Sequence, residues 1–378
     1  MIDPVRQEVL ISAHTVVVKV GTNVLTRADG TLEPARVQAL ADQLQRVRAA
    51  GRKVALVSSG AIGAGIGRLA LGRRPTDLRQ LQACAAVGQA FLMRAYEDCL
   101  RRHEIPTAQL LLTAGDFDSR SRYLNARNTI VTLFEWGCLP IINENDTVSV
   151  AEIRFGDNDH LAALVTNLLQ APLLILLTNV DGLYTADPGE DPNAKLVETV
   201  PQIDGTVMDK AGSGKSVLGS GGMRSKLRAA RLATAAGESV IMANGASEGV
   251  LDAIFAAKPV GTLFLPHRSV MPAWKRWLGF AARAKGKLVV DAGARKAVEI
   301  NNRSLLPIGI VQVVGSFGKG DVISLCDPDG IEFARGLTNY AAAAVDRIRG
   351  LRTDQIRHSV GEYPYEEVVH KDNLVVTV

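Results

Sequence analysis

Six short runs in the first two-thirds of the chain, at 15–20, 53–57, 107–112, 139–142, 173–177 and 239–242, carry Val, Leu and Ile at consecutive rather than alternating positions. A strand with one face in water alternates apolar and polar residues, so runs without that alternation predict strands buried on both faces. Stretches with helical spacing separate them, near 33–50, 77–102, 121–136, 159–169 and 223–236. Strand and helix alternating in this way make an α/β fold, a mainly parallel sheet sandwiched by helices. Ligands in such sheets sit beyond the carboxyl ends of the strands. Chemistry is therefore expected in the segments that follow the runs: Gly21-Thr22-Asn23, Ser58-Ser59-Gly60-Ala61, Asn143-Glu144-Asn145-Asp146 and Thr178-Asn179-Val180-Asp181-Gly182.

After about residue 265 the pattern changes to short strands, at 287–291, 309–314, 321–325 and 374–378, punctuated by Gly315, Gly318, Gly320 and Gly330. A small β-rich domain is expected there, shaped as a compact barrel. The chain should divide into 1–265, a basic linker at 266–284, and 285–378. Residues 258–287 hold seven basic side chains and no acid, whereas 288–378 hold ten basic and twelve acidic ones. Trp274-Lys275-Arg276-Trp277, inside the basic stretch, has the composition of a nucleic-acid contact. An amphipathic docking segment at a domain junction is the preferred reading. Cys84, Cys99, Cys138 and Cys326 lie far apart with no CxxC spacing, which indicates neither a zinc site nor a disulfide framework and suits a reducing, cytoplasmic setting. The N-terminus has no basic segment followed by an apolar core, and no apolar run is long enough to span a bilayer, so no membrane partner is expected.

The segment Gly221-Gly222-Met223-Arg224-Ser225-Lys226 opens an apolar-periodic run. Its glycines leave backbone N–H groups uncovered where a helix begins, and Lys226 follows about one turn in. Amides, the positive end of the helix dipole and an ammonium together suit a phosphate. Lys19 stands in a second such place, where the run at 15–20 enters a glycine loop. Two lysines in two phosphate-shaped contexts point to phosphoryl transfer. Ser59 and Gly60 serve either as an ordinary helix cap or as a cradle for a carboxylate or phosphoryl group. The polar residues 143–146 either build a turn or face a polar substrate. Asp157-Asn158-Asp159 exceeds what one helix cap uses, which favours a pocket. His160 lacks a second ligand at metal spacing, so it is assigned to packing or hydrogen bonding and no metal site is assigned.

Two glycine motifs are discounted. Residues 211–216 end like a P-loop, but the position that needs its first glycine is Asp209, and a mobile loop fits better. Gly65-Ile66-Gly67 begins several residues into a helix, where close helix packing explains it better than a dinucleotide site.

Together and in this order, Lys-Val-Gly-Thr-Asn (19–23), Val-Ser-Ser-Gly-Ala (57–61), Asn-Glu-Asn-Asp-Thr-Val (143–148), Phe-Gly-Asp-Asn-Asp (155–159) and Gly-Gly-Met-Arg-Ser-Lys (221–226) resemble the amino-acid kinase family, over residues 12–260. The resemblance is closest to its glutamate-phosphorylating members. The tail is similar to a PUA domain, a module shared with RNA-modifying enzymes, in Val-Val-Asp-Ala-Gly-Ala-Arg-Lys-Ala (289–297), Ser-Leu-Leu-Pro-Ile-Gly-Ile (304–310) and Gly-Lys-Gly-Asp-Val-Ile (318–323).

The resemblance implies ATP-dependent phosphorylation of the γ-carboxylate of L-glutamate, giving γ-glutamyl phosphate for proline synthesis. It places Lys19, Lys226 and Asp159 in catalysis, with Asp159 holding the lysines. Ser59, Asp146 and Asn158 match its glutamate-binding positions. Lys19, Thr178, Asn179, Ser220, Gly221, Gly222, Met223, Arg224, Ser225 and Lys226 match its ATP side. Mg²⁺ arrives with ATP, held by phosphates and water. The family further implies L-proline as a feedback inhibitor, a homo-oligomer and coupling to glutamyl phosphate reductase. Other readings are a different carboxylate or carbamate kinase of the same fold, and RNA binding through the tail, which the acidic excess of 288–378 disfavours. A regulatory or assembly role for the tail is preferred. Two departures from the family pattern are Asn179, where an acid is usual, and Ser220, where the hydroxyl is usually that of threonine.

Overall fold

A computed structural model describes residues 3–27, 31–149, 158–209, 222–266, 273–352, 355–356 and 365–377. It divides into two units, Met1–Val270 and Met271–Val378. In chain order the first contains α1 (Pro4–Ser12), β1 (Thr15–Val20), α2 (Thr22–Leu25), α3 (Pro34–Ala49), β2 (Lys53–Ser58), α4 (Ala61–Arg68), α5 (Leu78–Leu100), β3 (Thr107–Leu112), α6 (Ala114–Asp118), α7 (Arg120–Glu135) and β4 (Leu139–Glu144). It continues with α8 (Asn158–Leu169), β5 (Leu173–Thr178), β6 (Thr199–Val200), α9 (Gly205–Asp209), α10 (Met223–Ala235), β7 (Ser239–Asn244), α11 (Val250–Phe255) and β8 (Thr262–Phe264).

The unbroken apolar runs become the middle of an eight-stranded sheet in the order β3-β4-β2-β1-β5-β7-β8-β6. From β3 to β7 every pairing is parallel. β8 runs antiparallel to β7, an addition the sequence does not announce because three residues show no period. All six residues of β1, β4 and β5 are buried. Val16, Val18 and Val20 join a core with α3 residues Val37, Leu40 and Leu44, while the alternate face of β1 carries Lys19. Helix α8 packs on β1, β2, β4 and β5 and is buried from Leu161 to Leu168. From β1 the chain builds β2, β3 and β4 on one side, then crosses through α8 to β5 on the other. That reversal opens a crevice at the carboxyl ends of β1 and β5.

Local chemistry sets the helix limits. Asp77 caps α5 by accepting from the amides of Arg79 and Gln80 at 3.0 and 3.3 Å. Among the described residues no helix is long and apolar enough to cross a membrane.

The second unit contains α12 (Ala273–Arg276), a π-helical turn at Trp277–Ala281, β9 (Gly286–Val290), α13 (Ala292–Glu299), β10 (Ile310–Gly315), β11 (Val322–Cys326), β12 (Glu332–Leu337), α14 (Ala342–Ile348) and β13 (Leu374–Val376). Its sheet order is β10-β9-β11-β12-β13, with β9 and β11 parallel and the other pairs antiparallel. Leu288, Val290, Ile323, Leu325 and Phe333 form its core. The π-helical turn, which falls in the basic stretch of the sequence, buries Trp277, Leu278 and Phe280 against β12 and β13. Asp291 ends no strand; its side chain caps α13 by accepting from Ala294 N at 2.7 Å.

Candidate active site

Lys19 is the fifth residue of β1, on the face opposite the valine core. Its Nζ stands 2.6 Å from Oδ1 of Asp159, the second residue of α8. From the first turn of α10, Lys226 donates to the other oxygen, Oδ2, at 3.0 Å. The residues are only 5, 1 and 8% exposed. Burial alone pushes the Asp159 carboxyl up, but the charges of Lys19 and Lys226 and their polar contacts outweigh it and hold the group below the ordinary carboxylate range. Two ammonium groups thus face one carboxylate away from water. Ammonium groups fixed beside a crevice suit an arriving anion.

The strand-end serine is placed by backbone first: Ser59 N donates to Val20 O at 3.2 Å, extending the β1–β2 ladder. Gly60 is the N-cap of α4, at φ +107°, a conformation that favours glycine, and no side chain caps this helix. The Ser59 hydroxyl is therefore not spent on capping. Instead its Oγ accepts from Asn158 Nδ2 at 3.0 Å. The same nitrogen contacts Ser58 O at 3.0 Å and Asn143 Oδ1 at 2.8 Å, so two hydrogens are shared among three acceptors. Asn143, 2% exposed, also accepts from Glu144 N at 2.9 Å and donates through Nδ2 to Gln89 Oε1 at 2.9 Å. Tyr96 OH lies 2.9 Å from Ser58 Oγ, and burial pushes the phenol above its ordinary pKa. Asp146 lines a cavity of about 310 Å³ together with Ala61, Gln89, Glu144 and Asn145.

On the other side of the crevice, Gly222 is the N-cap of α10 and Met223, Arg224, Ser225 and Lys226 form its first turn. Ser220, Gly221 and the segment 155–157 lie outside the described residues, as does the glycine loop at 211–216. Thr178 ends β5 beside β1, and its hydroxyl donates to Asn179 Oδ1 at 3.3 Å. An amide oxygen thus does here what a carboxylate oxygen does for a hydroxyl, and only the charge is missing. A carboxylate nevertheless stands two residues on. Asp181 accepts from Asn244 Nδ2 and from Tyr184 OH, both at 2.9 Å.

His160 is exposed, and among the described residues no three His, Cys, Asp or Glu side chains cluster so as to hold a metal ion. Gly65 lies inside α4, where a Cβ would fall 1.8 Å from Cys84 O; at Gly88 of α5 it would fall 1.8 Å from Ala61 O. Close packing of α4 on α5 accounts for these glycines. It also brings Gln89 to the cavity wall. Sequence reasoning passed over Gln89 and Tyr96; a lone amide in the small-residue stretch 83–90 was the available signal.

Two buried lysines held by one carboxylate at the switch point of a parallel sheet define an α/β protein suited to hold an anion. The chain belongs to the amino acid kinase family, whose model matches residues 14–244; a PUA domain model matches residues 286–360. Over nearly its whole length it is similar to glutamate 5-kinases. That from Geobacter sp. (strain M21) is 45% identical over 371 residues, covering 98% of this chain and 100% of the relative. That from Moorella thermoacetica is 46% identical over 97% of each chain. That from Rhodopirellula baltica is 45% identical over 99% of this chain and 96% of its own. Among solved structures, carbamate kinase from Giardia lamblia bound to AMP-PNP shares the fold at TM-score 0.50 and 20% identity, covering 68% of this chain and 99% of that one.

Proposed function

We propose that this chain transfers the γ-phosphoryl group of ATP to the γ-carboxylate of L-glutamate, forming γ-glutamyl phosphate, the first step of proline biosynthesis. The observation that carries the mechanism is the Lys19–Asp159–Lys226 cluster. A carboxylate with a pKa of about 4.3 is already ionised at neutral pH, so no general base is required. Two anions must be brought together instead, and negative charge on the transferring group must be balanced. Fixed ammonium groups and amides do that. Lys19 meets the transferring group from the glutamate side. Lys226 meets it from the nucleotide side, with the amides that open α10. Asp159 orients both ammonium groups. With each of its oxygens facing a lysine, it is committed to them rather than to a metal, and Mg²⁺ accompanies the nucleotide through phosphate oxygens and water.

Ser59, Asn158 and Asp146 hold the amino acid. Asp146 takes its ammonium, while hydroxyl, amide and backbone N–H groups take its α-carboxylate. Thr178, Asn179 and the residues 220–226 hold ATP. The family resemblance also supports L-proline as a feedback inhibitor, a homo-oligomeric assembly, functional coupling to glutamyl phosphate reductase, and a cytoplasmic location. The test is ATP turnover with L-glutamate, L-aspartate, N-acetyl-L-glutamate, carbamate and UMP, with hydroxylamine present to trap acyl phosphates. Hydroxamate formed with glutamate alone, and lowered by proline, is expected. Turnover with another acceptor and none with glutamate would reject the assignment.

A further inference from the structure

Behind the turn that carries Ser59 lie two fully buried hydroxyls, those of Ser58, the last residue of β2, and Tyr96 of α5. Gly88, Leu92 and Tyr96 stand four residues apart and share one face of α5. Gly88 lies against Ala61 at the start of α4, and two turns further on Tyr96 reaches the end of β2. Its OH is 2.9 Å from Ser58 Oγ, and Ser58 Oγ donates to Ser59 O at 3.2 Å. A hydroxyl has one hydrogen, so a serine that gives its own to Ser59 O can only accept from the phenol. Burial pushes the phenol's pKa up and keeps that proton in place. The donors therefore run one way, from Tyr96 to Ser58 to Ser59 O.

Ser59 is thus anchored through both of its backbone groups. Its amide donates to Val20 O at 3.2 Å, and its carbonyl accepts from the relay. Gly60 then turns the chain into α4 at φ +107° with no side chain capping the helix, so the relay holds the backbone where it leaves the strand. Asn158 Nδ2 meets Ser58 O and Ser59 Oγ, both at 3.0 Å, and both acceptors ride on the segment held in this way. We propose that Tyr96 is a positioning residue for the acceptor substrate: through Ser58 it fixes the Ser59 peptide, and with it the hydroxyl and the Asn158 amide that hold the amino acid. This rests on the function proposed above. Tyr96 acts without meeting substrate, so its burial is what the role requires.

The test is Tyr96→Phe, which removes the donor and keeps the ring. KM for L-glutamate should rise about threefold to tenfold, the scale for one neutral hydrogen bond. KM for ATP should stay near its wild-type value, because Lys226 and the α10 amides do not touch the relay. Ser58→Ala interrupts the same relay one step on and should raise KM for glutamate in the same way. In the double variant no buried hydroxyl is left unpaired, so the Tm should recover relative to Ser58→Ala alone. KM for glutamate should nevertheless stay raised, because Ser59 O is still unheld. A pair that served only stability would restore both together. An unchanged KM for glutamate in folded Tyr96→Phe, or an equal rise in KM for ATP, overturns the proposal. Should Tyr96→Phe not fold, Ser58→Ala decides by the same two constants. Wild-type protein that forms no glutamate hydroxamate defeats the parent function instead, a result visible before any variant is made.

Discussion

Lys226 Nζ donates to Oδ2 of Asp159 at 3.0 Å, joining the first turns of two helices whose residues lie 67 positions apart in sequence. The opposite oxygen faces Lys19 at 2.6 Å. One buried carboxylate therefore fixes the separation of two cations that arrive on unrelated elements, a strand end and a helix start. Asp159→Asn leaves both ammonium groups without their common partner. Turnover is expected to fall by at least about a hundredfold, the scale for losing a key electrostatic group. Steady-state kcat with saturating ATP and glutamate checks this, and a drop of less than about threefold would remove Asp159 from the mechanism.

Removal of either cation should be as costly. Lys19→Ala and Lys226→Ala are each expected to lower kcat by at least about a hundredfold. Because the two act on the same transferring group, the double variant should lose much less than the product of the single losses. Fully multiplicative losses would mean that the lysines serve separate steps.

The pH dependence follows from Asp159. Its pKa is lower in the folded protein than in the unfolded chain, so the stability it contributes is present above the unfolded value and is lost as pH falls through the folded one. The difference in Tm between the wild type and Asp159→Asn should be constant near neutrality and shrink only below about pH 4, where the unfolded chain begins to bind the proton. Scanning calorimetry across that range makes the comparison. A difference that shrinks between pH 5 and 7 would show that the carboxyl is not held down.

Gly88→Ala tests the packing that shapes the cavity. The added Cβ would lie 1.8 Å from Ala61 O, so α4 and α5 must separate. A loss of about 1–3 kcal/mol or more is expected, with a lower Tm and weaker glutamate binding together, because Ala61 and Gln89 both line the cavity. A stable variant with unchanged KM would show that the close approach is dispensable.

The inner strands were legible because Val, Leu and Ile at consecutive positions admit few alternatives to a doubly covered strand. Thr15–Val20 and Thr107–Leu112 begin and end where the apolar pattern does. β8 was not legible, since Thr262–Phe264 is held by pairing with β7 rather than by any period of its own. Asp291 reads as the last residue of a strand but serves as a helix cap, a role set by the three residues after it. At the site, residue type and position singled out Lys19 and Ser59 at strand ends, and Asn158, Asp159 and Lys226 where helices begin. Gln89 was hidden, because its importance comes from a bond to Asn143, 54 positions away, and from two glycines that let α4 and α5 touch.

The most direct measurement follows oxygen rather than rate. Glutamate carrying ¹⁸O in its γ-carboxylate is turned over with ATP and hydroxylamine, and the inorganic phosphate released is weighed by mass spectrometry. If the γ-carboxylate attacks phosphorus, hydroxylamine cleaves the acyl carbon and each phosphate carries away one labelled oxygen. Unlabelled phosphate would mean that water, not glutamate, accepts the phosphoryl group between Lys19 and Lys226, contradicting the mechanism.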